Sequence, residues 1–274
     1  MRNRFIVPAV MVPLFLVLIL LTTAGSASGQ GQAANQSNPR DFSGIWRLEG
    51  PGANAFPGFG AMTRPPLTPK GVEAMRGRVP SRDVPYAGMS NDPEYTCNPA
   101  GFPKLFMDAE PMEMMHLPDR LLQVFQWEHR VRYIWTDGRE LPSGENLDNL
   151  GPAWYGHSVG RWEGDTFVVT TTGLEERAWL DRPGNPKSLH ARIEERYRKT
   201  DANTIAVQMT LTDPEYYTAP WVAVPRTFKR QDPKTYTYFG WKGLFAGITE
   251  GICAPMNEVE GYNKRFRDPA EPQR

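Results

Sequence analysis

The stretch that decides the fold is "YGHSVGRWEGDTFVVTTTG", residues 155–173. Within it, residues 156–160 match G-x-S-x-G, the nucleophile elbow of α/β-hydrolases, where a strand precedes the serine and a helix follows it. Here Ser158 is followed instead by the turn dipeptide Glu163-Gly164 and then by valines and threonines, which favour strands. The stretch therefore predicts a β-hairpin with Ser158 in its first strand, and a serine hydrolase is disfavoured.

Further strands are predicted on both sides of this hairpin. In "NTIAVQMTLTD" (203–213) an apolar residue stands at every second position from Ile205 to Leu211. "RVRYIWT" (130–136) also alternates, with Val131, Tyr133 and Trp135 on one face and Arg130 and Arg132 on the other. Turn sequences such as "TDGR" and "RPGNP" separate these stretches, and no long helical pattern lies between them. This pattern predicts an all-β fold, an antiparallel sheet that closes or nearly closes into a barrel.

The first 27 residues have the features of a secretory signal peptide. Arg2 and Arg4 precede a long apolar run (5–21), and "TTAGSASG" then supplies small residues for cleavage. Residues 28–39 are typical of a flexible linker. The sequence therefore predicts a periplasmic or secreted protein that is not attached to a membrane once the signal peptide is removed.

The remaining chain, residues 40–274, has the length of a single domain. Its first part (40–118) is rich in Pro and Gly and is predicted to be irregular, whereas residues 119–274 carry the main sheet. One short helix is expected after Thr68, because Thr is a good N-cap and Pro69 suits the first helical position.

Charge and cysteine content narrow the partners and the compartment. The formal net charge is zero and no basic block occurs, which argues against nucleic acid or an anionic membrane surface as a partner. The two cysteines, Cys97 and Cys253, are expected to form a disulfide in an oxidising compartment. Two separate buried thiols are the alternative.

Several stretches together carry a family resemblance. Residues 156–174 read "GHSVGRWEGDTFVVTTTGL", and "DFSGIWRL" (41–48) and "CNPAGFP" (97–103) stand upstream. These stretches resemble a family of uncharacterised secreted bacterial proteins with the signature G-H-S-I-G-x-W-E-G-D-T-L-V-V-D-T-T-G-F. Thr170 replaces the usual Asp and Lys187 replaces a usual His. The resemblance implies an exported β-rich protein and assigns no activity.

A second, shorter resemblance lies at the start of the domain. Gly44-Ile45-Trp46 is similar to the G-x-W of lipocalin-like barrels, in which the Trp closes the barrel bottom beneath an arginine from a late strand. Arg226 or Arg230 would supply that arginine here. Small barrels of this kind hold one small ligand in the lumen. The resemblance implies a lipocalin-like β-barrel.

The leading catalytic candidate is Glu195. Period two places it on one face with Leu189, Ala191, Ile193 and Tyr197, where it is the single acid. A carboxyl group in such a place either pairs with an arginine of a neighbouring strand or has a raised pKa, which suits a general acid or base. Both interpretations remain open at this point.

Other polar and aromatic residues complete the predicted site. His157, His190 and Asp181 are further acid–base candidates, although a cross-strand hydrogen bond, an exposed edge position and a turn would explain them equally well. Aromatic side chains could line a pocket or only pack against the sheet. The predicted substrate-binding residues are Tyr155, Trp179, Arg196, Tyr197 and Tyr217.

No metal or cofactor is predicted. The four histidines are scattered without a metal-binding spacing, and no phosphate loop or dinucleotide fingerprint occurs. "MEMMH" (112–116) contains soft donors for Cu(I), but methionines more often fill irregular cores.

The functional hypothesis is an exported β-barrel that binds a small apolar or aromatic molecule in its lumen. Acid–base chemistry by carboxylate and histidine, as in a cofactor-independent lyase, isomerase or hydrolase, would follow if the polar candidates converge. The alternatives are a non-catalytic periplasmic carrier and a structural envelope protein.

Overall fold

The computed structural model describes residues 38–49, 58–60, 65–108, 110–127, 129–232, 234, 237–238, 241–242 and 253. The predicted signal peptide and most of the predicted linker lie outside the described residues. Within these ranges, no helix is both long and apolar enough to cross a membrane.

The described chain forms twelve strands and two short α-helices, with several single 3-10 turns between residues 81 and 107. The strands are β1 Gly44–Glu49, β2 Met112–Leu117, β3 Arg120–Phe125, β4 Val131–Trp135, β5 His157–Glu163, β6 Thr166–Thr172, β7 Arg192–Asp201, β8 Thr204–Thr212, β9 Trp221–Val222, β10 Arg226–Gln231, β11 Thr237–Tyr238 and β12 Trp241–Lys242. The helices are α1 Pro69–Ala74 and α2 Gly144–Leu150.

Nine strands close into a barrel, which confirms the predicted fold class. The sheet runs in the order β10-β1-β2-β3-β4-β5-β6-β7-β8, and β10 pairs back onto β8 to complete the circle. The short strand β9 pairs with the other side of β8. The hairpin predicted around Glu163-Gly164 is present as β5 and β6, with Ser158 in its first strand as expected.

One pairing in the barrel departs from the predicted antiparallel pattern. β4 and β5 run parallel, and only two residue pairs join them, Ile134 with Ser158 and Trp135 with Val159. The connection between them contains α2, whose Leu147 is buried. A crossover of this kind returns the chain to the same end of the sheet, so the next strand must be parallel.

The predicted short helix is confirmed as α1. The Thr68 hydroxyl accepts a hydrogen bond from the Gly71 N–H at 3.1 Å, and Pro69 occupies the first helical position. Upstream and downstream of it, the segment predicted as irregular also supplies β1 and β2 to the barrel. Its Pro and Gly content therefore did not prevent strand formation at its two ends.

The barrel interior is packed with side chains. Phe106, from the segment between α1 and β2, contacts Tyr197 on β7 and Phe228 on β10, with ring centroids 5.8 and 4.9 Å apart. Phe102 and Met114 are also completely buried. Burying large aromatic and aliphatic side chains of this kind is the main source of stability in such a fold.

Trp46 has the arginine partner that its sequence context predicted. The Arg230 guanidinium lies 5.0 Å from the ring centroid of Trp46, and the two residues are direct cross-strand partners on β10 and β1. Arg226 instead donates to the Gly58 carbonyl. The Trp46 indole is fully buried and donates to the Phe42 carbonyl at 2.7 Å.

Cys97 and Cys253 form a disulfide, as predicted. The bond links positions 156 residues apart. It therefore closes most of the domain into one covalent loop.

Candidate functional site

The structure has a cleft of about 560 Å³ on the outer face of β4 and β5. We call it the β4–β5 cleft. Its lining comes from β4, from the crossover that contains α2 and from the start of β5, and includes Tyr133, Trp135, Leu150, Trp154, Tyr155 and His157. The volume lies within the range of about 300–1,000 Å³ that is common for small-molecule sites.

The cleft lies where β4 and β5 are staggered, because β4 ends at Trp135 while β5 begins only at His157. Their ladder contains only the pairs at Ile134 and Trp135, so the first residues of β4 have no strand beside them on the β5 side. Residues 153–156 approach there as a loop, and Gly156 has a φ of +66°, a backbone conformation that favours glycine. A methyl group on Gly156 would come within 2.6 Å of Thr171, so only glycine fits this position.

Aromatic side chains form the walls of the β4–β5 cleft. Tyr133 and Trp135, two residues apart on β4, stack with ring centroids 6.3 Å apart. Tyr133 is 49 % exposed, although it is a large ring on a barrel strand. The Arg139 guanidinium lies 3.5 Å from the Trp135 ring centroid and pairs with Asp137 at 2.6 Å. The walls therefore offer flat apolar surfaces held in place by cation–π contacts.

Of the predicted acid–base candidates, His157 is the one that lines this cleft. It is half-buried, and its Nε2 lies 3.0 Å from the Gly151 carbonyl oxygen. A carbonyl oxygen only accepts, so Nε2 carries the proton and a neutral His157 has its lone pair on Nδ1. His157 and Tyr155 are the two predicted site residues that share this cleft.

Glu195 lies elsewhere, in a buried polar cluster inside the barrel. It is fully buried, as the alternation of β7 predicted, and it pairs with Arg132, whose side chain is also buried. Arg132 Nη2 is 2.5 Å from Oε1 and Nη1 is 3.0 Å from Oε2, while the Tyr197 hydroxyl donates to Oε2 at 2.5 Å. Both carboxylate oxygens therefore accept strong hydrogen bonds.

Electrostatics and packing stabilise the charge on Arg132. Burial opposes the charge on Arg132, but the carboxylate of Glu195 outweighs it, and the pKa of Arg132 is raised. Burial and the nearby Glu195 charge raise the pKa of the Tyr197 hydroxyl, which stays protonated and can donate. Phe102 covers the guanidinium, with Arg132 Cζ 3.7 Å from its ring centroid.

Ser158 belongs to the same cluster. Its hydroxyl accepts from Arg132 Nη2 at 3.1 Å and is hydrogen-bonded to the Thr171 hydroxyl at 2.9 Å. Within the described part of the chain, no imidazole contacts this hydroxyl, because the neighbouring His157 points to the opposite side of β5. A serine nucleophile needs such a base, so this geometry agrees with the hairpin interpretation.

Three other predicted residues lie in a second buried group, formed by the loop between β6 and β7 and by Tyr217 from the segment between β8 and β9. The carboxylate of Asp181 accepts hydrogen bonds from the Phe59 N–H at 2.8 Å and from the Asn185 side chain at 2.7 Å. Burial raises its pKa in spite of these bonds. Trp179 packs beneath Arg78 and Lys104, and the Tyr217 hydroxyl donates to the Pro186 carbonyl at 2.8 Å. These contacts hold loops against the barrel.

Lys187 is also buried in this group. Its ammonium donates to the Ala178 carbonyl. Burial, together with the nearby charges of Lys104 and Arg78, lowers its pKa from 10.5 to about 7.

The last two predicted site residues are on the surface. His190 is exposed just before β7. Arg196 points outward from β7 and pairs with Glu163 at 2.7 Å and with Glu194 at 3.3 Å. The predicted residues are thus divided among the cleft, the interior, the loop group and the surface, and they do not share one cavity.

The soft-donor stretch at residues 112–116 does not converge either. Met112 and Met114 are buried, whereas Met115 faces outward on the same strand. His116 Nε2 accepts a hydrogen bond from the Phe42 N–H at 3.1 Å. Across the described residues, no group of three or more His, Cys, Asp or Glu side chains could hold a metal ion.

Sequence reasoning missed Arg132 as the partner of Glu195 and missed Tyr133 and Trp135 as cleft residues. The available signal was the spacing of two large aromatics at alternate positions of one strand. Alternation separates the faces but does not say which face is buried.

No protein-family model matches the chain, and a comparison with curated proteins gives no match.

Proposed function

We propose that the protein binds a small, mainly apolar or aromatic molecule in the β4–β5 cleft. The observation that carries this proposal is the stacked pair of Tyr133, which is exposed, and Trp135, which is half-buried, in a cleft that Trp154 also lines. Large aromatic side chains are normally covered in a folded protein, and an exposed apolar patch rimmed by polar residues marks a binding site. The cleft is concave and large enough for such a ligand.

The proposed position differs from the lumen expected from sequence. Buried side chains such as Phe106, Tyr197 and Met114 occupy the barrel interior. A ligand there would have to displace packed side chains, which is costly in a close-packed core. The outer cleft requires no such displacement.

We propose that Glu195 has a structural role and does not act as a general acid or base. Both of its oxygens accept hydrogen bonds, and its partner Arg132 is buried with it. A general acid or base must reach the ligand, and His157 is the acid–base candidate that lines the cleft. Because Glu195, the leading catalytic candidate, does not line the cleft, the geometry favours a carrier over an enzyme.

We also propose that the protein works in the periplasm or outside the cell. The Cys97–Cys253 disulfide supports this, because such bonds persist in oxidising compartments. The apolar leader of residues 5–21 and the resemblance to secreted bacterial proteins point the same way.

Calorimetric titration of the purified protein with 3-methylindole tests the proposed binding. We expect saturable binding with a stoichiometry of one. Tyr133→Ala removes one wall of the cleft and is expected to weaken binding about tenfold, because an aromatic contact contributes roughly 0.5–1.5 kcal/mol beyond its area. Tyr86→Ala is the matched control, since Tyr86 is also exposed and does not line the cleft.

Equal affinities of the wild type and Tyr133→Ala would place the ligand elsewhere. The absence of any saturable heat with 3-methylindole would contradict the proposed function. Tyr133 is largely outside the core, so its replacement is expected to change the free energy of unfolding by less than about 0.5 kcal/mol.

A further inference from the structure

The backbone of β4 presents hydrogen-bonding groups in two directions. Toward β3, the Arg130 carbonyl accepts from the Phe125 N–H and the Thr136 N–H donates to the Asp119 carbonyl, both at 2.8 Å. In an antiparallel pair, successive residues alternate between facing the partner strand and facing away from it. The even-numbered residues of β4 therefore face β3, and the odd-numbered residues turn their N–H and C=O groups toward β5.

Part of the β5-facing edge, beside the loop of residues 153–156, makes no backbone hydrogen bonds among the described residues, and we call this part the open edge. The parallel ladder begins at the pair Ile134 with Ser158, so it can use the Tyr133 carbonyl but not the Tyr133 N–H. Val131 lies one pleat further from the ladder. Among the backbone hydrogen bonds of the described residues outside the ladders, none involves the Tyr133 N–H or either backbone group of Val131. Both residues line the β4–β5 cleft.

Backbone donors and acceptors on a strand edge are a recognition surface. An extended ligand can pair with such an edge as an added strand would, while its side chain fills a neighbouring pocket. Buried backbone groups are nearly always paired in proteins, so a ligand that covers this edge has to supply partners. The aromatic pair Tyr133 and Trp135 lies on the same strand, beside the open groups.

We propose that the open edge of β4 at Val131 and Tyr133 pairs with amide groups of the ligand. The ligand class is then an uncharged aromatic compound with an amide on each side of one carbon, as in an N-acylated aromatic amino acid amide or a short peptide with blocked ends. This inference rests on the proposed function, because it uses the same cleft and adds the chemistry that selects the ligand.

The charges around the cleft select against an anionic ligand. Arg132 pairs with Glu195 and Arg139 pairs with Asp137. For Glu140, which also lines the cleft, the described structure shows no cationic partner. A free carboxylate on the ligand would therefore meet an unbalanced negative charge, whereas an amide would not.

Three probes test the proposal on the full-length mature protein by titration calorimetry. 3-Methylindole has the aromatic group alone, N-acetyl-L-tryptophanamide adds two amides, and N-acetyl-D-tryptophanamide has the same composition with opposite handedness. We expect the L-amide to bind at least about tenfold more tightly than 3-methylindole, as two net hydrogen bonds would allow. The D-amide should bind more weakly than the L-amide, because edge pairing would direct its ring away from Tyr133 and Trp135.

The outcomes separate this inference from the proposed function. If 3-methylindole binds and both amides bind no more tightly than it does, the strand-edge pairing is wrong while the cleft remains a binding site. Equal affinities of the two enantiomers would also overturn the pairing. If none of the three probes binds, the proposed function fails together with the inference. N-acetyl-L-tryptophan, whose carboxylate replaces the amide, should bind more weakly than the L-amide, and tighter binding would contradict the charge argument.

Discussion

Arg132 on β4 and Glu195 on β7 form an ion pair inside the barrel, with 2.5 Å between Nη2 and Oε1. β5 and β6 separate these two strands in the sheet, so the pair reaches across the interior and joins two parts of the barrel wall. The β4 end of this pair is next to the only parallel junction in the barrel that the described residues form. We infer that the pair helps to hold β4 in place, because only two residue pairs join β4 to β5.

Glu195→Gln tests the structural role of this pair. The change leaves a buried, uncompensated guanidinium, and breaking a buried pair on one side costs about 3–5 kcal/mol of unfolding free energy. Urea denaturation measures the loss. Glu194→Gln, at the neighbouring outward position with a partly exposed side chain, is the control and should change stability by less than about 0.5 kcal/mol. If Glu195→Gln retains wild-type stability, the pair is not structural and the acid–base interpretation returns.

Ser158→Ala tests the interpretation of the G-x-S-x-G sequence. Its hydroxyl accepts from Arg132 and bonds Thr171, so its removal should lower the unfolding free energy by about 1–3 kcal/mol. Ser143→Ala is the control, because Ser143 is exposed and makes no side-chain capping bond. Covalent labelling of Ser158 by a serine-reactive fluorophosphonate would show an activated nucleophile and overturn the hairpin interpretation.

Lys187 predicts a pH dependence of stability. Its pKa is lowered from 10.5 to about 7 by burial, so between these values the unfolded chain binds a proton that the folded protein does not. Stability therefore rises with pH across this window, by about 1.4 kcal/mol per pH unit from this group. Lys187→Met should remove the rise. Denaturation curves of both proteins at several pH values measure it, and parallel pH profiles would show that the pKa of Lys187 is not lowered in the folded protein.

The disulfide predicts sensitivity to reduction. Closing a loop of 156 residues stabilises the fold by up to about 5 kcal/mol in the chain-entropy model. Dithiothreitol should therefore lower the melting temperature of the wild type and leave that of a Cys97→Ser, Cys253→Ser double variant unchanged. Thiol labelling of the unreduced, denatured protein should find no free thiol, and two labelled cysteines would show that the bond does not form.

Local patterns predicted much of the fold because they depend on neighbouring residues. The Glu-Gly turn and the β-branched residues after it predicted the hairpin of β5 and β6, and period two placed Glu195 on the buried face with Ile193 and Tyr197. The capping context of Thr68 predicted α1. Each of these features is decided within a few residues of chain.

The rest depended on contacts between distant parts of the chain. The parallel pairing of β4 with β5 follows from the path of the crossover, and no residue of β4 signals it. The sequence pattern placed Arg132 on the polar face of its strand. In the barrel, the Arg132 side chain points inward, and Glu195 neutralises its charge. The cleft arises where two staggered strands overlap by only a few residues, and short-range periodicity contains no information about that stagger.

The position of a bound aromatic molecule tests the central claim most directly. Isotope-filtered NOE measurements on methyl-labelled protein with 3-methylindole would report which methyl groups lie within about 5 Å of the ring. We predict contacts with Val131, Leu150 and Val159, which line the β4–β5 cleft. Contacts with Met114, Val207 and Leu211 of the buried core would place the ligand in the barrel interior and contradict the account.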